Sequence, residues 1–166
     1  MQEKRDLYDL NKKLTGEVIL KGDIYPKNRK ILVVMVFIEN DEGKFLIQKR
    51  CDNNKWAFTC GHPKSGENSL EGIIVEVKEE LGIDISKNDI KLIKFDSDLY
   101  VFVDIYYLKL DLKLENLNIQ KEELSEVKYA TLEEIQELIL KNSFFEKHID
   151  KYNMLLEYKG IKLLKT

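Results

Sequence analysis

The stretch from Gly61 to Ile83 reads GHPKSGENSLEGIIVEVKEELGI, and it decides the fold. Its first part holds two glycines and one proline within six residues, a composition that is typical of a loop. Asn68 or Ser69 can then cap a helix that runs from about Leu70 to Leu81. Gly82 follows as the residue that ends the helix in the left-handed conformation. We therefore predict a loop followed by a helix.

The predicted helix carries three carboxylates on one face, those of Glu76, Glu79 and Glu80. Like charges at three- and four-residue spacings destabilise a helix by about 0.2 to 0.5 kcal/mol per pair, and the last two lie near its negative end. Lys78 is the only cation between Glu67 and Gly82, and helical spacing puts it on another face. One interpretation is a solvated acidic face. The other is a site for a hard divalent cation, which prefers oxygen ligands, activates water and holds phosphate oxygens.

The remaining sequence mixes strands and helices. Apolar and β-branched runs predict strands over Ile31–Glu39, Lys44–Arg50, Trp56–Thr59, Ile90–Phe95 and Leu99–Leu112. Thr131 and Glu134 form a capping box before a predicted helix over Leu132–Lys141, and a last helix is predicted over Glu146–Tyr158. Because strands and helices do not alternate strictly, an α+β layered domain is favoured over a doubly wound parallel sheet.

Length and composition exclude several classes of protein. The chain has 166 residues, of which 43% are hydrophobic, with only 8 Gly and 2 Pro, so a disordered or collagen-like chain is excluded and one domain over 1–166 is expected. The longest apolar run, Ile31–Ile38, is far shorter than the roughly 20 residues of a membrane-spanning helix. A net charge of -3 argues against a nucleic-acid-binding module. Two cysteines and no apolar leader indicate a reduced, cytoplasmic protein.

The stretch Gly61–Ile83 resembles the Nudix box, G-x5-E-x7-R-E-U-x-E-E-x-G-U, in which U is a bulky aliphatic residue. Eight of the nine specified positions match at the correct spacing. The resemblance implies a Nudix-type α/β/α sandwich with a mixed β-sheet. It also implies a hydrolase that uses Mg²⁺ or Mn²⁺ to cleave the diphosphate linkage of a nucleoside diphosphate or another small organic diphosphate. The matching residues are Gly61, Glu67, Glu76, Val77, Glu79, Glu80, Gly82 and Ile83.

The same resemblance assigns roles to individual residues. Glu76, Glu79 and Glu80 would be the metal ligands and the general base, and the backbone carbonyl of Cys60 would complete the ligand set. A further carboxylate often comes from later in the fold. Glu123 is the candidate, with Glu122 as the alternative residue and a solvated acidic loop as the alternative interpretation of both.

Val75 is the one departure from the box, because it stands where the family has an arginine. That arginine is expected to steady the glutamates by charge pairing, and valine offers no planar, charged donors in its place. The substitution weakens the prediction of activity. It leaves open a slow enzyme, or a Nudix domain that binds a phosphorylated ligand without cleaving it.

The flanking segments resemble the branch of Nudix proteins that includes the isopentenyl-diphosphate isomerases. The similar runs are DLYDLNKKLTG at 6–16, FLIQKR at 45–50 and WAFTCGHP at 56–63. Those isomerases use the cysteine and the histidine of a CGHP run, which is present here around Cys60 and His62. Two further metal-binding histidines of the isomerases are replaced by Ile24 and Ile31, so an isomerase is the second hypothesis. Cys60 as an inert residue at a strand end is the alternative to a chemical role.

Three further residues are candidates for substrate binding. Arg50 and Lys55 resemble positions that hold diphosphate oxygens in the isomerase branch, and Arg50 offers a bidentate grip. His62 is a candidate for contact with a substrate phosphate. For each of the three, an ordinary solvated strand end or loop residue is the alternative interpretation. The expected partner is therefore a small diphosphate, with no nucleic acid and no membrane involved.

Overall fold

Strand β3 (Ile31–Glu39) lies at the centre of the fold, and eight of its nine residues are buried. In the computed structural model, which describes residues 1–162, β3 pairs in parallel with β8 (Val101–Lys109) along its whole length. It pairs antiparallel with β4 (Phe45–Arg50) and with β6 (Thr59–Gly61). Parallel and antiparallel pairs in one sheet make it a mixed sheet, which confirms the prediction.

Three shorter or peripheral strands complete this seven-stranded sheet. Strands β5 (Trp56–Ala57) and β9 (Leu124–Ala130) pair with β4, and β7 (Ile90–Ser97) pairs with β8. Strands β1 (Lys4–Tyr8) and β2 (Leu14–Leu20) form a separate two-stranded sheet, here called the N-terminal hairpin.

Helices cover both faces of the sheet, which explains why the β3 sequence is apolar throughout rather than alternating. Val34 and Val36 of β3 share a buried cluster with Ile73 of helix α1 (Ser69–Leu81). The side chains between them on β3 share the opposite cluster with α2 (Leu132–Leu140) and α3 (Ile149–Tyr158). The result is the predicted α/β/α sandwich.

Helix α1 begins and ends as its sequence predicts. Asn68 is the N-cap, and it forms a capping box with Glu71. Gly82 ends the helix in the left-handed conformation, with φ of 73°. The apolar side chains on one face of α1 pack into the core: Ile73, Val77 and Leu81 are fully buried, and Ile74 is half-buried.

The structure differs from the sequence prediction at several elements. The predicted strand over Trp56–Thr59 is two strands, because the backbone N–H of Phe58 donates to a histidine side chain rather than to a neighbouring strand. Strand β8 is shorter than the predicted Leu99–Leu112. The N-terminal hairpin and β9 were not predicted. A 3-10 turn at Glu146–His148 precedes α3. Within residues 1–162, no helix is long and apolar enough to cross a membrane.

Candidate active site

A cavity of about 390 Å³ lies between the second half of α1, the ends of β4 and β6, and the N-terminal hairpin. Two of the three helix glutamates line it, Glu76 and Glu80. Glu79 lines a neighbouring groove instead. The cavity therefore joins the acidic face of α1 to elements that lie far from it in sequence.

The carboxylate of Glu76 lies directly against Gly61. A Cβ atom placed on Gly61 would fall 2.1 Å from Cδ of Glu76, so only glycine leaves room for this side chain. The backbone N–H of His62 lies near the same carboxylate and acts to lower its pKa. Burial, followed by the nearby charges of Glu80 and Glu79, raises the pKa of Glu76 to about 8.

Glu80 is held by a chain of two buried side chains. Nε2 of Gln48 donates to Oε2 of Glu80 at 2.7 Å, and the hydroxyl of Thr59 donates to Oε1 of Gln48 at 2.9 Å. The second bond orients the Gln48 amide, so that its NH₂ group faces the glutamate. Burial raises the pKa of Glu80 to about 7, although the hydrogen bond from Gln48 opposes that shift.

Glu79 is exposed, and Lys64 forms an ion pair with it. Each of the three glutamates thus has a different polar neighbour: the His62 N–H for Glu76, Lys64 for Glu79 and Gln48 for Glu80. Only Lys64 carries a positive charge, and it pairs with the glutamate that does not line the cavity. Among residues 1–162, no cation therefore pairs with the two cavity-lining glutamates in place of the arginine that Val75 replaces.

The segment that carries Glu123 is fastened to the C-terminal end of α1. The backbone N–H groups of Asn118 and Gln120 donate to the carbonyls of Leu81 and Glu80, at 3.1 and 3.0 Å. Helix ends leave such carbonyls without partners, so these bonds fix the segment in place. Glu123 and its neighbour Glu122 consequently line the cavity, and the charge of Glu123 contributes to the raised pKa of Glu80.

The two predicted phosphate-binding cations lie in different places. Arg50 lines the cavity, donates to both oxygens of Asp52 at 2.9 and 2.6 Å, and lies 4.3 Å from the ring centre of Phe145. Lys55 does not line the cavity. Its ammonium group pairs with Glu146 and donates to Asn142 at 3.1 Å, so the structure does not bring it to the glutamates.

Cys60 and His62 both lie at the wall of the cavity. Burial, followed by the charge of Arg5, lowers the pKa of His62 to about 4, so its imidazole is neutral near pH 7. The thiol of Cys60 lies 3.4 Å from Nε2 of His148, on the side of β6 that packs against the helix α3 region. Burial raises the pKa of Cys60 to about 12.

The hydrogen bonds of His148 fix its tautomer. Its Nδ1 lies 3.1 Å from the backbone nitrogen of Phe58, and because that N–H can only donate, Nδ1 must be the acceptor. The proton of the neutral ring is then on Nε2, facing the Cys60 sulfur. Burial lowers the pKa of His148 to about 3, which keeps the ring neutral. His148 therefore cannot take a proton from the thiol.

The donor set around the cavity fits a hard divalent cation. The buried Glu80 and the half-buried Glu76 both offer carboxylate oxygens to the cavity, and within residues 1–162 neither forms an ion pair with a Lys, Arg or His side chain. Uncompensated buried carboxylates are costly, and a bound cation would remove that cost. In the same part of the chain, no three His, Cys, Asp or Glu side chains are already arranged around one point as a ligand set. Ion binding would therefore involve some movement of these side chains.

Sequence reasoning missed several polar residues that line the cavity: Gln48 of β4, Asp52 shortly after it, Glu3 and Arg5 at the first strand of the N-terminal hairpin, and Lys21 directly after its second strand. Gln48 carries a detectable signal, since it is a polar residue in an otherwise apolar part of a strand. Arg5 and Lys21 carry no comparable signal. Their segment is rich in charge, and only the folded chain brings it beside the helix.

The model of the NUDIX domain family matches residues 29–152, which is more than half of the chain. The chain belongs to the Nudix family. The Nudix hydrolase of Listeria monocytogenes that it resembles is 34% identical over 143 residues, which cover 82% of this chain and 84% of that protein. A Nudix hydrolase of Listeria innocua is 32% identical over 165 residues, with 95% and 96% covered. Both relatives are described as uncharacterised.

Solved Nudix structures share the fold at low sequence identity. The DR0079 protein of Deinococcus radiodurans superposes with a TM-score of 0.76 at 21% identity, covering 90% of this chain and 96% of its own. The NUDIX domain of Shewanella oneidensis NrtR, solved with ADP ribose, superposes with a TM-score of 0.62 at 15% identity, covering 78% and 88%. These likenesses establish the architecture of the Nudix fold in this chain.

Proposed function

We propose that this Nudix protein is a hydrolase that depends on Mg²⁺ or Mn²⁺ and cleaves the diphosphate linkage of a nucleoside diphosphate or another small organic diphosphate. One observation carries the proposal. The same cavity is lined by carboxylates, among them the half-buried Glu76 and the buried Glu80, and by the basic side chains of Arg5, Lys21 and Arg50. Both kinds of side chain suit a diphosphate, because basic side chains bind its oxygens and carboxylates bind the divalent cation that accompanies it.

Different residues have different roles in the proposed hydrolysis. Glu76 and Glu80, with Glu79 and Glu123 at the rim and the Cys60 carbonyl, would hold the metal ion. When bound, that ion supplies polarisation of phosphoryl oxygens and a lower pKa for coordinated water. A cavity-lining glutamate, Glu76 or Glu80, accepts the proton of the water that attacks phosphorus.

Basic groups hold the diphosphate in place while water attacks. The guanidinium of Arg50 is kept in position by Asp52 and by the Phe145 ring. The neutral His62 can donate a hydrogen bond to a phosphate oxygen. Fixing the phosphorus relative to the attacking water is a large part of what an enzyme contributes to such a reaction.

The geometry of Cys60 favours hydrolysis over the isomerase alternative. A chemical role for this thiol requires a partner that takes or returns its proton, and His148 points an N–H group at the sulfur instead. The isomerase hypothesis predicts that Cys60→Ala abolishes activity and that no phosphate-bond cleavage occurs. Equal rates for the wild type and this variant would remove it.

A non-catalytic binding domain is the alternative that Val75 supports. The variant Val75→Arg separates it from an enzyme. A gain in hydrolysis would indicate an enzyme weakened by this substitution. Tight binding of a phosphorylated ligand, with no turnover in either form, would instead support the binding domain.

The decisive experiment measures product release from purified protein with Mg²⁺ or Mn²⁺. The substrate panel contains nucleoside diphosphates, nucleoside diphosphate sugars, dinucleotides, nucleoside triphosphates and prenyl diphosphates. We expect hydrolysis of at least one class and its loss in Glu80→Gln, with Glu137→Gln on the exposed face of α2 as the matched control. No product from the whole panel, or unchanged turnover in Glu80→Gln, would refute the proposal.

A further inference from the structure

Arg5 occupies a position on β1 where an apolar side chain is expected. Arg5 pairs with Ile19 of β2, and residues that are paired across two strands share a face of the sheet. Leu7 packs in a small buried cluster with Ile19 and Ile31. Arg5 itself is only 8% exposed. A charged side chain at such a position is costly unless its donors find acceptors.

Within residues 1–162, the protein supplies a hydrogen-bond acceptor for only one of the N–H donors of the Arg5 guanidinium. Its Nε donates to Glu3 at 2.9 Å, and within residues 1–162 no side chain or carbonyl accepts from its two terminal amino groups. A guanidinium has five N–H donors, of which four belong to those groups. No side-chain nitrogen in this part of the chain is both sealed from solvent and unpaired, and Arg5 lines the cavity. The free donors are therefore accessible to solvent, on a side chain that lines the cavity.

The N-terminal hairpin is attached to the loop that opens the Nudix box. Asp6 accepts hydrogen bonds from the hydroxyl of Ser65 at 2.6 Å and from the N–H of Gly66 at 2.9 Å. The N–H of Ser65 also donates to the carbonyl of Lys4 at 2.9 Å. Because these contacts flank Arg5 on both sides, its backbone is fixed relative to the box. The hairpin itself lies outside residues 29–152, to which the family model applies.

The basic side chains near Arg5 favour an anion as its ligand, while Glu3, which also lines the cavity, already pairs with the Nε of Arg5. Lys21 from the same hairpin and Arg50 from β4 line the cavity with it, and Arg50 is already paired with Asp52. His62 lies among these cations, and their charges contribute to its lowered pKa. The carboxylates of α1 line the same cavity, so a ligand can meet the helix glutamates and the hairpin cations together.

We propose that Arg5 binds the terminal phosphate of the substrate, so that the protein selects diphosphates that end in a free phosphate over diphosphates esterified at both ends. This inference rests on the proposed function. A terminal phosphate carries close to two negative charges and three acceptor oxygens, which the guanidinium fork matches, whereas an esterified phosphate carries one charge and two free oxygens. Arg5 is also far more buried than Lys21. The ligand group that reaches the buried Arg5 is therefore at the end of the ligand.

Binding measurements test this preference without turnover. The probes are α,β-methylene-ADP, which ends in a free phosphate, and α,β-methylene-ADP-ribose, which does not, each titrated with Mg²⁺ into the full chain in a calorimeter. We expect the wild type to bind the first probe more tightly. Arg5→Gln should weaken its binding by roughly 10- to 100-fold, the effect of losing a charge-assisted pair, and should change binding of the second probe by less than about threefold.

Two further variants keep the test interpretable. Arg5→Leu places an apolar side chain at this core-facing position, retains the fold, and should show the same loss. Lys13→Gln removes one charge from the exposed turn of the hairpin and should bind both probes as the wild type does. Absence of probe binding to the wild type, equal losses for both probes, or no loss in Arg5→Gln would overturn the inference. Hydrolysis of ADP by the wild type is measured separately, so that a failure of the proposed function is seen independently.

Discussion

Gly61 lies directly against the carboxylate of Glu76. The Cβ that any other residue would carry at position 61 would fall 2.1 Å from the carboxyl carbon of Glu76. The backbone at Gly61 does not require glycine, since its φ is not among the positive values found at other glycines of the chain. Glycine is needed at position 61 only because a larger residue would collide with Glu76. The first residue of the Nudix box is thus tied to its first helix glutamate by contact.

We expect Gly61→Ala to lose activity with little loss of stability. The methyl group would push the flexible end of Glu76 aside, while the backbone of β6 keeps its conformation. A displacement of about 1 Å at a catalytic group costs roughly 100-fold in rate. The measurement is kcat/KM together with the melting temperature. A variant with full turnover would show that Glu76 does not need its present position.

Gln48→Leu should reduce kcat, because it removes the hydrogen bond that holds Glu80. Loss of a bond to a charged group costs about 1.5 to 3 kcal/mol, which corresponds to roughly 10- to 100-fold. We also expect weaker Mn²⁺ binding, measured by calorimetry without substrate. Thr59→Val only frees the Gln48 amide to rotate, and should show a smaller change in both quantities. Unchanged Mn²⁺ affinity in Gln48→Leu would argue that Glu80 is not a ligand.

Lys12→Met should destabilise the protein. Lys12, in the turn of the N-terminal hairpin, forms an ion pair with Asp104 of β8, whose side chain is only 5% exposed. Removal of the lysine leaves an unpaired buried carboxylate, and we expect a loss of about 3 kcal/mol in the free energy of unfolding. Urea denaturation measures it. The double variant Lys12→Met/Asp104→Asn should recover part of the loss, while the exposed Lys13→Met should show none.

The buried carboxylate of Glu39 predicts one pH dependence of stability. Burial acts to raise its pKa, but hydrogen bonds from Tyr107 and Lys159 outweigh burial, so the pKa is lowered from its usual 4.5. A carboxylate whose pKa is lower in the folded state stabilises the protein above the unfolded pKa. That contribution is lost as the pH falls through the folded value.

Wild type and Glu39→Gln should therefore differ in the free energy of unfolding at pH 7, and the difference should shrink progressively below about pH 4.5. Denaturation in urea at a series of pH values measures it. The exposed Glu115→Gln provides a control without such contacts. A difference that grows on acidification would contradict the assignment.

Local signals in the sequence predicted the central part of the fold well. The box helix, its cap at Asn68 and its end at Gly82 depend on neighbouring residues, and the structure confirms them. Strand β1 and strand β9 depend on distant partners instead. Their sequences, KRDLY and LSEVKYA, mix polar and apolar residues without a continuous apolar run, and they become strands because β2 and β4 supply the hydrogen bonds.

The residues of the candidate site divide in the same way, into those with a local sequence signal and those placed by distant partners. The three helix glutamates follow from their spacing alone, whereas Arg5 becomes a cavity residue only because Asp6 attaches the hairpin to the Ser65–Gly66 loop. Lys55 illustrates the converse. It lies close to Arg50 in sequence, but Glu146 and Asn142 from the far end of the chain hold it outside the cavity. Tertiary contacts of this kind have no signature within a single segment.

The parallel pairing of β3 with β8 has a consequence for how the chain is made. Ile31 pairs with Val101 and Glu39 with Lys109, so each pair spans seventy positions of sequence. A ribosome releases β3 long before its partner, and contacts of such separation form slowly. During that interval the eight apolar residues Ile31–Ile38 are open to association with other chains. The charges that border this run, from Arg29 and Lys30 before it to Glu39, Asp41 and Glu42 after it, are placed to keep the nascent chain soluble.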